Sequence, residues 1–517
     1  MLTCHDINKS YDGKTVLGGV SFAVDRGERV GLVGDNGCGK STLLKIILGE
    51  VEPDGGHAEI DTGASVAYVG QELTAAENGL SGTAWLGDGT AAGASPQALG
   101  LMRRLGLPLE TLNREVGSLS GGEKTKLGLV RACLRPSDLY LLDEPTNNLD
   151  LSGIAWLEDF IRRSRAAFLI VSHDRRLLDN LTTKTVAIDW YTRKAATYGM
   201  PFSEYREARA AAVRGQFEDY ADYRGEVRRL KDAATRKKEW ARQGSGSPKS
   251  TDNDKSLRER RRERSSGAGG AAKAIERNLT RLQAVERPQE RLPMKLSFGD
   301  TERSGDLVFE CREATVERGG STWGPVNLEV RYGDRVALVG PNGGGKTTLI
   351  KLLSGELTPT SGETRRGTRL AIGYLAQETT FDSAKSVLEQ FRGETKTDEG
   401  LFRRTLNRFG LGADDMGKRA ADLSPGQRSR LVLARLMENE VNCLLLDEPT
   451  IHLDLEALEA IEAGLADFKG TVVVATHDRY FLDVLQPTRT LLVEPGGVVR
   501  PIGSYHELES SKTRGES

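Results

Sequence analysis

The stretch Gly34-Asp35-Asn36-Gly37-Cys38-Gly39-Lys40-Ser41-Thr42 returns 306 residues later as Gly340-Pro341-Asn342-Gly343-Gly344-Gly345-Lys346-Thr347-Thr348. Each copy follows an apolar run, Arg29–Val33 or Arg335–Val339, and leads into another, Leu43–Leu48 or Leu349–Leu353. The pattern predicts a strand, a glycine loop and a helix, twice. Loop glycines lack the Cβ that would keep backbone amides from converging on phosphate oxygens, and the helix beyond adds its positive end. In such a loop Lys40 and Lys346 reach the β- and γ-phosphates, while Ser41 and Thr347 coordinate Mg²⁺. A tight turn before a helix explains either copy alone.

Further elements repeat in the same order. Gln71-Glu72 pairs with Gln377-Glu378 at the offset of 306. Leu119-Ser120-Gly121-Gly122-Glu123 pairs with Leu423-Ser424-Pro425-Gly426-Gln427 at 304. Asp143-Glu144-Pro145-Thr146 and Asp447-Glu448-Pro449-Thr450 keep 304, as do Ser172-His173-Asp174-Arg175 and Thr476-His477-Asp478-Arg479. One unit is written twice. Leu139–Leu142 and Cys443–Leu446 read as buried parallel strands ending at the acidic pairs, and Ala167–Val171 and Thr471–Ala475 as strands ending just before the histidines. Ligand chemistry belongs at the carboxyl edge of such a sheet.

A carboxylate ending an apolar strand is costly without a partner, and Mg²⁺ is the partner expected for Asp143 and Asp447. Glu144 and Glu448 are the candidates for polarising an attacking water. His173 and His477 are placed to sense or bond the γ-phosphate, and Gln71 and Gln377 to ligate metal and water. Ser120 with Glu123, and Ser424 with Gln427, form capping boxes, and Pro425 falls at the first helical position, where its missing N–H costs nothing. Each capped helix end attracts an anion that its own half does not supply, and a second nucleotide-binding half facing it would.

Length and composition exclude several classes. At the usual domain size, 517 residues suggest about three units. The five cysteines lie far apart, indicating neither a disulfide framework nor a zinc knuckle and favouring a reducing compartment. No run approaches the apolar length of a membrane span, and the N-terminus shows no signal-peptide pattern. Charge is uneven. Residues 200–296 carry 24 Lys or Arg against 15 Asp or Glu, while the rest of the chain is acidic. This basic insert is a localised attraction for a polyanion. It divides the chain into domains at 1–198 and 297–517 and a linker at 199–296. Phe217, Tyr220, Tyr223, Val227 and Leu230 recur at helical spacing within a stretch from Phe202 to about Arg242. Pro248 breaks it, the basic run Arg258–Arg264 follows, and a second helix is expected over 271–287. The expected architecture is α/β, two P-loop domains in tandem joined by a long α-helical hairpin with a basic tip.

These paired motifs resemble the ATP-binding cassette superfamily. The resemblance implies a head-to-tail sandwich with two ATP molecules, each with Mg²⁺, at an interface within one monomer. Site one would combine Gly34–Thr42, Gln71, Asp143, Glu144 and His173 with Ser424 and Gly426. Site two would combine Gly340–Thr348, Gln377, Asp447, Glu448 and His477 with Ser120, Gly121 and Gly122. Asp150 and Asp454 match the D-loop and would touch across the interface. Tyr11 would stack on adenine in the first half, where the second half has Glu317. Pro425 stands in place of the first glycine of the usual signature.

Twin cassettes with a long charged linker are similar to the F subfamily. That resemblance implies a cytoplasmic ATPase that binds the ribosome, contacting rRNA and tRNA near the exit-tRNA site, with the linker directed at peptidyl-tRNA or the peptidyl-transferase centre. By elimination of a large arm in the first domain and of a long C-terminal coiled coil, it points to the antibiotic-resistance, ribosome-protecting members. The energy module of an exporter with separate membrane subunits and a nucleic-acid remodelling or scaffold ATPase remain open from the residues alone.

Overall fold

The computed structural model describes residues 1–70, 75–87, 94–147, 149–245, 275, 277, 294, 296, 298, 302–318, 320–376, 381, 385–392, 399–438, 441–450, 453 and 455–506. The chain forms two compact units, Met1–Ser203 together with Leu292–Ser517, and Glu204–Arg291.

In the first unit the duplication is structural. Among the described residues each half has a three-stranded antiparallel sheet and a six-stranded core sheet. In the first half the core order is Val66–Val69, Leu139–Asp143, Ala167–Val171, Arg29–Val33, Lys184–Ile188 and Ala195–Tyr198. In the second it is Ile372–Leu375, Cys443–Asp447, Thr471–Ala475, Arg335–Val339, Arg489–Glu494 and Val498–Ile502. All strands run parallel except the last of each sheet. The central strands are buried at every position, which is why they read as unbroken apolar runs rather than as alternating ones.

This order brings three carboxyl ends side by side. The strand ending at Asp143 pairs with the strand ending at Val171, which pairs with Arg29–Val33. Phosphate loop, acidic pair and histidine thus emerge at one edge of the sheet, and the second half repeats this. The helices after the loops are Lys40–Ile47 and Lys346–Ser354. Both begin at the lysine, three residues earlier than the apolar run, because the left-handed Gly39 and Gly345 set the turn. Leu296 packs against Gly464, fixing the entry into the second half: a Cβ there would lie 3.0 Å from Leu296 Cδ2.

The helix of the insert, Phe202–Ser245, is 44 residues long, about 66 Å at 1.5 Å per residue. It continues past Arg242 through Gln243-Gly244-Ser245, because weak helix formers at a terminus cost little when the preceding turns are already formed. Along it Tyr220, Tyr223, Val227 and Leu230 are half-buried and Phe217 is exposed. The basic run Arg258–Arg264 lies outside the described residues. So does the expected second helix, except that Ile275 and Arg277 are helical. Among the described residues no helix is long and apolar enough to cross a membrane.

Candidate nucleotide sites at the seam between the halves

The helices Lys40–Ile47 and Lys346–Ser354 are capped by glycines with φ of 102° and 101°. At Gly345 a Cβ would collide with the Trp323 indole at 2.0 Å, so both conformation and contact require glycine. Lys40 Nζ donates to the carbonyls of Gly34 at 2.7 Å and Asp35 at 3.2 Å. Lys346 Nζ donates to Gly340 and Pro341 at 3.1 and 3.3 Å, and to His477 Nε2 at 2.8 Å. Burial first, then the Lys346 cation, holds the His477 imidazole well below its usual pKa. A neutral ring is the form that accepts this bond. His477 Nε2 also lies 3.1 Å from Asn342 Oδ1 and 3.5 Å from Glu448 Oε1. In the first half His173 Nε2 lies 3.2 Å from Asn36 Oδ1 and 3.4 Å from Glu144 Oε1.

Thr347 Oγ1 donates to Asp447 Oδ1 at 3.2 Å, while the buried Oδ2 has no hydrogen-bond partner. Burial raises the Asp447 pKa. Burial and the neighbouring Glu144 push Asp143 up to about 6, against a hydrogen bond from Ser41. Each pair, a hydroxyl beside a carboxylate that resists ionising unaided, fits a cation. Among the described residues no group of three or more His, Cys, Asp or Glu could cage a metal. Mg²⁺ takes one or two carboxylates and fills its shell with water and phosphate oxygens, and each hydroxyl–carboxylate pair offers a donor set of that kind.

Glu144 and Glu448 each donate their N–H to the end of the adjacent strand, to Val171 and Ala475 carbonyls at 2.8 Å. Both have positive φ, 50° and 47°. Burial pushes Glu448 up to about 7 against the Lys346 cation. A carboxylate so poised can take a proton from an attacking water near neutral pH.

Both capping boxes are present. Ser120 N donates to Glu123 Oε2 at 2.8 Å and Glu123 N to Ser120 Oγ at 3.3 Å. Ser424 N donates to Gln427 Oε1 at 3.1 Å and Gln427 N to Ser424 Oγ at 3.3 Å. Pro425 opens its helix.

A cavity of about 890 Å³ joins the halves. Ser120, Gly121 and Gly122 line it from the first; Asn342, Gly343, Gly345, Lys346, Thr347, Thr348, Glu448 and His477 line it from the second. Most of the site-two set therefore meets at this cavity, with Asp447 joined to it through Thr347; Gln377 lies outside the described residues. Asp150 caps the helix Leu151–Arg163 through Gly153 N at 2.9 Å and reaches the seam, acting electrostatically on Lys346 and His477. Asp454, its counterpart, lies outside the described residues. For site one the described residues give its two components separately, the loop Gly34–Thr42 with Asp143, Glu144 and His173, and the capped end at Ser424 and Gly426; Gln71 lies outside them.

Three residues at these sites escaped the sequence reading. Lys126, buried on the helix Gly121–Leu134, lines the cavity opposite Lys346; its position two turns into the helix was the available signal. Trp323 Nε1 donates to Gly344 O at 3.0 Å, and the repeat hid it, since the offset of 306 sets it against Leu17. Arg193 donates to Gly37 O at 3.1 Å and its guanidinium lies 4.1 Å from the Trp190 ring. Tyr11 is 47% exposed with Lys9 Nζ 5.5 Å from its ring centre, and Glu317 sits on a hairpin opposite Thr322.

The family model described as "ABC transporter" matches residues 17–147 and again 324–451. The chain belongs to the ATP-binding cassette family. It is 36% identical to the ATP-binding protein Uup of Caulobacter vibrioides, over 98% of this chain and 80% of that protein. It is 32% identical to the tylosin resistance ATP-binding protein TlrC of Streptomyces fradiae, over 92% and 94%. It is 30% identical to ABC transporter F family member 2 of Arabidopsis thaliana, over 97% and 77%. With these relatives it falls in the F subfamily and carries two ABC ATPase domains with a helical insertion between them. The solved complex of the archaeal ribosome recycling factor aABCE1 with the stalk protein aP1 covers 98% of this chain at a TM-score of 0.63 and 20% identity, a likeness of fold. ABC domains in general bind ATP with Mg²⁺.

Proposed function

We propose that each half binds one Mg²⁺-ATP and that the opposite half completes the grip. The cavity shared by Ser120–Gly122 and Lys346–Thr348 carries this reading. The residue roles are those the pairing suggests. Lys40 and Lys346 hold phosphate oxygens, and the amides of Gly34–Gly39 and Gly340–Gly345 cradle them. Ser41 with Asp143, and Thr347 with Asp447, would hold Mg²⁺, with Gln71 and Gln377 completing the two sets. That ion would neutralise phosphate charge as the bond to the γ-phosphoryl group breaks. Glu144 and Glu448 accept the proton of the attacking water, and His173 and His477 bond the γ-phosphate.

The whole chain, on this reading, is a cytoplasmic protein that docks on the ribosome near the exit-tRNA site when ATP draws the halves together. The insert then acts on peptidyl-tRNA or the peptidyl-transferase centre through phosphate contacts and shape. Its net basic charge and 44-residue helix support this, as does the full-length similarity to a protein named for tylosin resistance, which favours ribosome protection. Domain limits at 1–198, 199–296 and 297–517 belong to the same proposal.

Glu144→Gln with Glu448→Gln should trap the protein on purified 70S ribosomes with ATP in sedimentation. The absence of any ATP-dependent co-migration would remove the ribosome from the proposal.

A further inference from the structure

Two ion pairs cross the seam away from the phosphates. Arg175 Nη1 donates to Glu462 Oε2 at 2.9 Å, and Arg479 Nη2 donates to Glu158 Oε1. All four residues are buried. They are also reciprocal, because both the arginines and the glutamates are 304 residues apart. This is the self-complementary contact expected about a two-fold axis, here within one chain.

The attachment points give the pairs their meaning. Arg479 is two residues past His477 and opens the helix Arg479–Leu485. Its partner Glu158 lies on Leu151–Arg163, the helix capped by Asp150, and Asp150 acts electrostatically on Lys346 and His477. Arg175 stands in the same relation to His173, and Glu462 lies on Leu455–Asp467. The Arg175 guanidinium also covers the Tyr480 ring at 4.3 Å, and Arg176 pairs with Asp483 at 2.7 Å. Asp174 and Asp478 cap the two arginine-bearing helices, through Leu177 N at 2.9 Å and Phe481 N at 3.0 Å.

We propose that Arg175–Glu462 and Arg479–Glu158 are positioning pairs that form a double lock, tying the histidine loop of each ATP site to the D-loop side of the other half so that the two sites close as one. A buried charge left without its partner is far more costly than the pair is stabilising. With one pair made and the other broken, an arginine is stranded in the seam, so half-closed states are disfavoured. The lock rests on the ATP-site reading above for its consequence in turnover, but not for its geometry.

The test uses the full chain. Glu158→Gln and Glu462→Gln should each lower kcat for ATP by about tenfold, leaving nucleotide affinity within about twofold. The charge exchange Glu158→Arg with Arg479→Glu should restore most of the loss. Spin labels at the exposed positions Glu50 and Val498, with Cys133 replaced by Ser, should report a single, narrow interdomain distance with ATP that differs from the distance without it. That distance should be lost in Glu158→Gln and regained in the exchange. Unchanged turnover and distance in Glu158→Gln would overturn the lock. So would an exchange variant as impaired as the single substitution, a comparison that holds even if Glu158→Gln folds poorly. If the unsubstituted chain binds ATP but hydrolyses none, the catalytic part of the ATP-site reading fails and the ATP-dependent distance alone judges the lock.

Discussion

The two halves carry the same motifs on the same sheet, yet their phosphate loops sit in different electrostatic settings. In the second half Lys346 and His477 are buried, 2.8 Å apart, and covered by the first half's capped helix. In the first, Lys40 is half-buried and His173 keeps 22% side-chain exposure. Loop composition runs parallel to the contrast. Asp35 adds a carboxylate where the second half has Pro341, and Cys38 fills space where the second half has Gly344. The lesson is that a motif fixes backbone geometry, whereas protonation and accessibility depend on what packs against it.

The largest test removes the proposed base from both sites. Glu144→Gln with Glu448→Gln should cut phosphate release by about a hundredfold or more. Near-normal release would break the assignment in both halves at once. The single variants then sharpen the comparison by showing how much turnover each site supplies.

Proton linkage comes next. Burial raises Glu448 from 4.5 to about 7, so the folded state holds this proton more tightly than the unfolded state. Its contribution to stability is greatest below about 4.5 and is lost as pH rises through about 7, by something on the order of 3 kcal/mol. Glu448→Gln should flatten that part of the stability-against-pH curve in urea titrations. An unaltered curve would mean that the carboxyl is not buried as described.

Exchanging the loop residues should be asymmetric. Gly344→Cys would place a Cβ 2.5 Å from the Val493 carbonyl oxygen; it should cost about 2 kcal/mol by overpacking and weaken nucleotide binding at site two. Cys38→Gly only empties space and should cost about 1 kcal/mol. Thermal unfolding with nucleotide titration compares them, and equal effects would erase the proposed difference between the loops.

The smallest effect concerns the caps. Ser120→Ala and Ser424→Ala should each cost about 1 kcal/mol. Each should in addition raise the KM for ATP, since each cap completes the opposite half's site in the proposed pairing and Ser120 lines the site-two cavity. An unchanged KM in Ser120→Ala would argue against that contact.

Much of this was legible because the chain states it twice. The strands Ala167–Val171 and Thr471–Ala475 and the capping boxes follow from local patterns that tertiary packing does not overrule. The seam was less legible. Lys126, Arg193 and the Arg–Glu pairs acquire their roles from neighbours a hundred residues or more away, or from the other half, and no spacing rule encodes such contacts. Helix ends were also blurred: the insert's helix outlasted the expected stop at Gln243, where propensity is weak and the preceding turns decide.

Glu144 and Glu448 hold backbone angles that a glycine would adopt freely and that cost a side-chain-bearing residue about 1 kcal/mol or more. A laboratory population selected only for surviving heat, with no demand for turnover, should therefore drift toward glycine or asparagine at these two positions before most others. Endurance and chemistry make opposite demands on the same pair of torsions.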